Sequence, residues 1–501
     1  MRLEEVPTAV NRPLLDLMSP PRTKSGQTPI SNPTSITPRE DEPTRNWGKT
    51  SMSARAVGIV LSITIGWTTL ATSPAVPAPQ AKAQTQNEAQ AVLRVGTSGD
   101  YAPFSITASG DVGGDVSTET NAETDGNAQA RYQGLGPDLA RAYAKERNLR
   151  VHFVRFRWPD LVVDLEAGRF DVAMSGITVR PERSLAGRFT LPIALSGALA
   201  LVPTQAPVHE ASDLNRPGLR IAVNAGGHLE RTARRLFARA TVVPIANNAG
   251  VMDALAAGLA DAVITDTREA PYWLEASPGL RAIGPFTRDR KALLVAAEKP
   301  ELARDLDDWL LAQESNGQMA ARRTRYLNAA ATSGPGRPVL SALLAGIAER
   351  LALMPLVAEA KRASQTDVEA PAREAQVIEA ALARVRQTES TAGIPPNQQV
   401  GAAAVTELFV AQMAAAKSIQ RSVLAQPPPL ASGPPPALDS ALRPALLRIG
   451  DRIARLIVLL PRDIPAREIE ERSQLELGDL GLPEARVAAI AHGLMAVSSA
   501  P

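Results

Sequence analysis

The sequence predicts an α/β domain followed by an all-α one. Two observations carry this. From residue 92 to about 327, short apolar runs with strand character alternate with amphipathic helical stretches, the pattern of parallel sheets covered by helices. Beyond a linker at 328–338, reading NAAATSGPGRP from Asn328, the remaining residues to 501 carry helical periodicity. A length of 501 residues has room for two to four such domains.

The first 51 residues are polar and rich in Pro, Ser, Thr and Arg, a composition that favours disorder. Met52 then opens a second pattern: Arg55, an apolar run from Ala56 to Leu70, and small residues around a cut after Ala83. This is the layout of a secretory signal peptide, too short for a stable membrane span, with an uncleaved anchor as the alternative. The expected destination is the periplasm, with Met52 as the true start or 1–51 as a long leader. Net charge is +2, which argues against a nucleic-acid partner. The absence of cysteine excludes disulfides, thiolate zinc sites and thiol nucleophiles, and four scattered histidines show no metal-ligand spacing. No metal or organic cofactor is expected.

Within the α/β part, VLRVGTSGDYAPFS from Val92 reads as a buried strand and a polar turn, and GPDLARAYAKERN from Gly136 as an amphipathic helix. Residues 108–131 are acidic and rich in Gly, Asn and Thr, and read as a surface loop. The stretch from Leu149 to Gly176 gives strand, helix, strand. LRIAVNAGGHLERTARRLF from Leu219 gives strand, glycine turn, helix, and the stretch from Gly250 to Ala270 gives helix, then strand.

Four phrases in this region, LRVGTSGDYAPFS, WPDLVVDLEAGRFDVAMSGITVRPER, AVNAGGHLER and VITDTREA, resemble the periplasmic solute-binding proteins for polar amino acids. The resemblance is greatest to their enzymatic offshoot, the cyclohexadienyl dehydratases. It implies a type II two-lobe periplasmic-binding-protein fold with the ligand in the interlobe cleft: lobe 1 at 92–193 plus 287–327, lobe 2 at 194–286. It implies a carboxylate-binding loop at Ser175, Gly176 and Thr178, with Arg183 as the clamping guanidinium, a role that suits a bidentate fork. Gly226 and Gly227 correspond to the helix-start turn that receives the other end of the ligand. Asp100, Tyr101 and Trp158 correspond to walls of lobe 1, and Asp266 to the acid that grips an amino group in transport proteins. Glu230 falls where the dehydratases carry their general acid, a role that calls for a raised pKa. The alternative is a first-turn acid paired with the helix dipole, Arg231 or Arg234. His228-Leu229 stands where the family has Thr followed by an amide; His228 could donate a hydrogen bond, serve as a second acid, or be a neutral replacement.

In the helical part, Arg350 and Lys361 lie eleven residues apart, on nearly one helix face and roughly 16 Å apart along the axis. Leu351, Leu353, Met354, Leu356 and Val357 lie between them. Pro371 suits the first turn of a second helix that begins with Arg373 and Glu374. Gln420 lies late in a helical run over 406–424, and a proline-rich connection at 426–440 returns the chain to Arg443. Helices at about 440–461 and 484–497 close the bundle, and the acidic run from Arg467 to Asp479 reads as a solvated helix face.

The phrases ERLALMPLVAEAK and PAREAQVIEAAL, over about 340–460, resemble the exported subclass of all-helical chorismate mutases. The departures are Ala370, where the family has an acid, and Ala416, where it has Ser or Thr. The resemblance implies that arginines fork onto the two carboxylates of chorismate. It also implies that Lys361 and Gln420 donate to the ether oxygen and that Glu374 accepts from the ring hydroxyl. Together the two resemblances imply an exported bifunctional enzyme acting on chorismate, prephenate and, by extension, arogenate. The competing reading is an amino-acid or small-carboxylate binding protein serving an ABC permease, with a mutase attached.

Overall fold

The structure, a computed structural model, describes residues 90–107, 131–328, 338–428 and 433–499. The expected signal peptide, most of the 108–131 insert and most of the linker lie outside the described residues.

Lobe 1 is built on a sheet with order β5-β1-β6-β14-β7, with β8 pairing to β14. Its strands are β1 (Val92–Thr97), β5 (Arg150–Arg155), β6 (Val172–Thr178), β7 (Gly187–Phe189), β8 (Ala194–Ser196) and β14 (Asp289–Ala296). A small sheet of β2 (Asp100–Tyr101), β3 (Ser105–Thr107) and β4 (Tyr132–Gln133) flanks it. Every residue of β6 is buried, as befits a central strand covered on both faces. Helix α1 (Leu135–Glu146) covers it with Leu135, Leu139, Ala140, Tyr143 and Ala144, a stripe at helical spacing. Further lobe 1 helices are α2 (Pro181–Ala186), α4 (Pro300–Ser315) and α5 (Gln318–Leu327).

Lobe 2 holds a sheet with order β11-β10-β12-β9-β13. The strands are β9 (Ala198–Pro203), β10 (Arg220–Asn224), β11 (Thr241–Ile245), β12 (Ala262–Asp266) and β13 (Leu280–Ile283), with α3 (His228–Leu236) following β10. The sheets are mixed rather than parallel. In lobe 1, β14 runs antiparallel to β6; in lobe 2, β9 runs antiparallel to β12. Both exceptions are strands adjoining the interlobe crossings, which alternation with helices does not report. The crossing also falls later than expected. β8 pairs with β14 in lobe 1, Ser196 opposite Asp289, so lobe 2 begins beyond Gly197.

The C-terminal part is a helical bundle: α6 (Pro338–Ala352), α7 (Met354–Ala363), α8 (Pro371–Thr391), α9 (Ala402–Leu424), α10 (Arg443–Leu459), α11 (Ala466–Leu477) and α12 (Glu484–Ser498). α9 buries Val405, Leu408, Phe409, Gln412, Ala415 and Ala416 along one stripe. α12 approaches it so closely at Gly493 that a Cβ there would lie 2.7 Å from Leu408 Cα.

The bundle shares one apolar core with lobe 1 and is tied to it by polar contacts as well. Arg448 donates to the carbonyls of Ser184 and Leu185, and Glu349 accepts from Ser184 Oγ at 2.8 Å. Arg452 donates to the Phe189 carbonyl of lobe 1 and, within the bundle, bonds Glu349 at 2.9 Å; Arg455 bonds Asp307 of lobe 1 at 2.9 Å. Glu476 receives Arg288 at 3.1 Å and Arg290 from the strand leaving the hinge. The expected solvated face of α11 is therefore corrected at Glu476, whose side chain is only 8% exposed because two lobe 1 guanidiniums enclose it.

Candidate active sites in the bundle and the cleft

In the bundle, helices α6 to α10 and the turn before α10 enclose a cavity of about 180 Å³. Arg350, Lys361, Arg373, Glu374, Gln420 and Arg443 all border it, with Met354, Val357, Val377 and Phe409 as apolar walls. Arg350 is 7% exposed, its Nη1 has no hydrogen-bond partner among the described residues, and burial pushes its guanidinium down to about 10. Lys361 donates to the Val368 carbonyl at 3.0 Å, and burial lowers its pKa. The Gln420 amide reaches only Met354 Sδ, at 3.5 Å, and its oxygen is unpaired among the described residues. Glu374 is held below the usual carboxylate range by Lys417, 3.0 Å away. Lys417 also borders the cavity. Sequence reasoning missed it, although it lies three residues before Gln420 and so on the same face of α9.

Between the lobes lies a narrow cavity of about 40 Å³. Tyr101, Trp158, Gly176, Thr178, Arg183, Gly227 and His228 border it, as expected. Arg183 is 2% exposed and donates to the Thr178 carbonyl at 3.0 Å. Its guanidinium stacks over Trp158, its Nε has no partner among the described residues, and burial pulls its pKa well down. His228 Nε2 lies 2.9 Å from Asp289, and burial lowers the imidazole pKa. Gly226 takes φ +69°, and a Cβ there would meet Pro159 of lobe 1 at 2.8 Å, so glycine lets the lobes approach.

Five expectations are corrected. Glu230 does not border the cavity. Its carboxylate accepts from Gly226 N–H at 2.7 Å and pairs with Arg234 at 2.7 Å. Burial works to raise its pKa, but those two donors hold it below the ordinary value, the reverse of an acid kept protonated. Ser175 turns its hydroxyl to Ser98, 2.9 Å away, and supports the loop carrying Asp100. Asp100 is half-buried and accepts from Trp158 Nε1 at 3.1 Å rather than bordering the cavity. Asp266 is already engaged: Lys291 lies 3.1 Å from it, and the Tyr101 hydroxyl donates to it. Gly226 shapes the turn but, unlike Gly227, does not border the cavity.

Sequence reasoning also missed Lys291, Asn248 and Glu269 among the lining residues. Glu269 is 1% exposed and accepts from Asn248 and from Thr265 Oγ1 at 2.7 Å. Burial, reinforced by Asp266, drives its pKa well up. The phrase VITDTREA contained it, three residues past Asp266. Among the described residues no three His, Asp or Glu side chains converge as a metal site would require.

A two-lobe ligand-binding domain carrying a cation-lined helical pocket on its C-terminal side defines the class. Residues 93–329 match the bacterial extracellular solute-binding proteins, family 3, and residues 341–421 match chorismate mutase type II. The chain is 30% identical over 241 residues to the cyclohexadienyl dehydratase of Pseudomonas aeruginosa, covering 47% of this chain and 82% of that protein. It is 22% identical over 244 residues to an L-cystine-binding protein of Escherichia coli, covering 48% of this chain and 84% of that one. Among solved structures, an ancestral amino-acid-binding protein described as a precursor of cyclohexadienyl dehydratase shares 30% identity. The match covers 47% of this chain and 95% of that chain, with a TM-score of 0.41. The chain belongs to family 3 of the bacterial extracellular solute-binding proteins and continues into a chorismate mutase type II domain.

Proposed function

We propose that the chain is an exported bifunctional enzyme that rearranges chorismate to prephenate in the bundle and converts prephenate to phenylpyruvate in the cleft. The observation that carries the first step is the bundle cavity, where Arg350, Lys361, Arg373, Lys417 and Arg443 surround apolar walls. The rearrangement needs no covalent help. It needs a dianion held in its folded conformer and donors at the ether oxygen, where negative charge develops. Arginine forks suit the carboxylates. Lys361 and the uncommitted amide of Gln420 supply the donors, and an amide donates at any pH. Lys361→Ala should lower mutase turnover by about 10²–10³ while added prephenate is still dehydrated. Loss of both activities would sink the division of labour.

For the second step, breaking the ring C–O bond releases water once a proton is supplied, and breaking the C–C bond to the ring carboxylate releases carbon dioxide. The electron pair from that C–C bond completes the aromatic ring. Arg183 and Lys291 supply cations for the carboxylates, and Glu269, the lining carboxyl driven towards its protonated form, supplies the proton. Phenylpyruvate release from prephenate should collapse in Glu269→Gln and persist in Glu230→Gln. The opposite pattern would return the acid to position 230. Lys291 on Asp266 removes the free acid that an amino group would seek, which favours the keto acid prephenate over arogenate or an amino-acid ligand. Export is tested by fractionation: full-length chain retained in the cytoplasm would end that part of the reading.

A further inference from the structure

A second, larger cavity, of about 590 Å³, opens where the bundle meets lobe 1. Its size is that of a small-molecule site. Six arginines border it: Arg188 and Arg304 from lobe 1, and Arg384, Arg448, Arg452 and Arg455 from the bundle. Three are matched by carboxylates: Arg452 by Glu349 at 2.9 Å, Arg455 by Asp307 at 2.9 Å, and Arg384 by Asp451 at 3.2 Å. The others are not balanced inside the cavity. Arg188 donates to the Ala297 carbonyl at 2.7 Å and Arg448 to two main-chain carbonyls, so neither has a carboxylate partner among the described residues. Arg304 pairs with Glu301 of its own helix at 2.6 Å, and its side chain remains 52% exposed.

The Nε atoms of Arg448, Arg452 and Arg455, spaced four and three residues apart on α10, are buried and lack a hydrogen-bond partner among the described residues. Buried donors of this kind are satisfied by water or by a ligand. Burial lowers the pKa of Arg448, with Arg188 pushing the same way and Glu349 against it; burial also lowers that of Arg188, with Asp451 acting against it and Arg304 with it. Guanidiniums close enough to repel one another, with space between them, are relieved by an anion.

We propose that this interdomain cavity binds a small multivalent oxyanion, a di- or tricarboxylate or a phosphorylated compound of that size, held by Arg188, Arg304 and Arg448. The test is calorimetric titration of the full chain with citrate and, in a separate arm, with inorganic phosphate. The background is Arg183→Ala/Arg350→Ala, which disables the two pockets described above. One equivalent of anion should bind, and Arg188→Gln or Arg304→Glu should weaken it at least tenfold. Arg304→Glu changes a rim side chain that makes no interdomain bond in the structure, so failure to fold does not confuse the result. If the double background is unstable, Arg304→Glu alone should remove one equivalent from the stoichiometry of the otherwise unaltered chain. Whichever anion shows this dependence identifies the source. No binding outside the other two pockets, or binding indifferent to both substitutions, overturns the proposal.

Discussion

At the scale of single residues, Lys291 decides what the cleft can grip. It neutralises Asp266 and lies 5.0 Å from the Tyr101 ring centroid. Lys291→Met should lower kcat/KM for prephenate and open Asp266 to an ammonium group, so that amino-acid binding appears in a titration. It should also cost about 3–5 kcal/mol of stability, because Asp266 is fully buried. The carboxyls divide by sign. Glu230 and Glu374 are held below their ordinary values, so they stabilise the fold above those values and lose that contribution as pH falls through the lowered ones. Glu269 is raised, so its contribution is whole at low pH and is lost as pH climbs through its raised value. Dehydration should fall over the same rise in pH, and a flat profile up to the alkaline limit of folding would argue against Glu269.

The motif residues of the bundle were legible because each lies on a helix whose periodicity dictates its face. Arg350, Lys361, Gln420 and Arg443 meet in space as spacing and resemblance anticipate. For Glu230 the structure shows the alternative, a first-turn acid paired with Arg234. A carboxylate in a first helical turn has backbone N–H groups and an i+4 arginine within reach, and here they outcompete the cleft. Lys291 was missed because its role arises from a contact with Asp266 across the lobes, and Glu269 because its burial beside Asn248 and Thr265 joins distant parts of lobe 2, neither of which strand alternation or a short phrase encodes.

At the scale of elements, α11 acts as a clasp. Glu476 joins Arg288 and Arg290, the residues on either side of Asp289, which in turn faces His228 across the lobes. Glu476→Ala would strand two largely buried guanidiniums, and we expect a loss of about 3 kcal/mol, read as a lowered denaturation midpoint. A change under about 0.5 kcal/mol would reduce the contact to a surface pair. β8 was placed in lobe 2 from the sequence because a three-residue strand carries no information about which sheet it joins, whereas its register with β14 puts it in the lobe 1 sheet.

At the scale of the whole molecule, the lobes meet closely, with His228 2.9 Å from Asp289 and Gly226 against Pro159, so a ligand entering the cleft is expected to part them. The bundle grips lobe 1 and the strand beyond the hinge, which leaves lobe 2 as the moving body. Hydrogen exchange should therefore slow in α3 and at residues 197 and 284–288 when prephenate occupies a Glu269→Gln chain, while α6 and α9 stay unchanged. Slowing spread equally through the bundle would mean that both domains move as one.

The bond from Ser184 to Glu349 joins the immediate neighbours of Arg183 and Arg350. A shift at this seam would therefore reach the neighbourhoods of both pockets at once. A descendant gene that split the halves would have to rewrite position 349, which would otherwise be left with Arg452 at a bare surface. Fusion at such a seam is easier to enter than to leave.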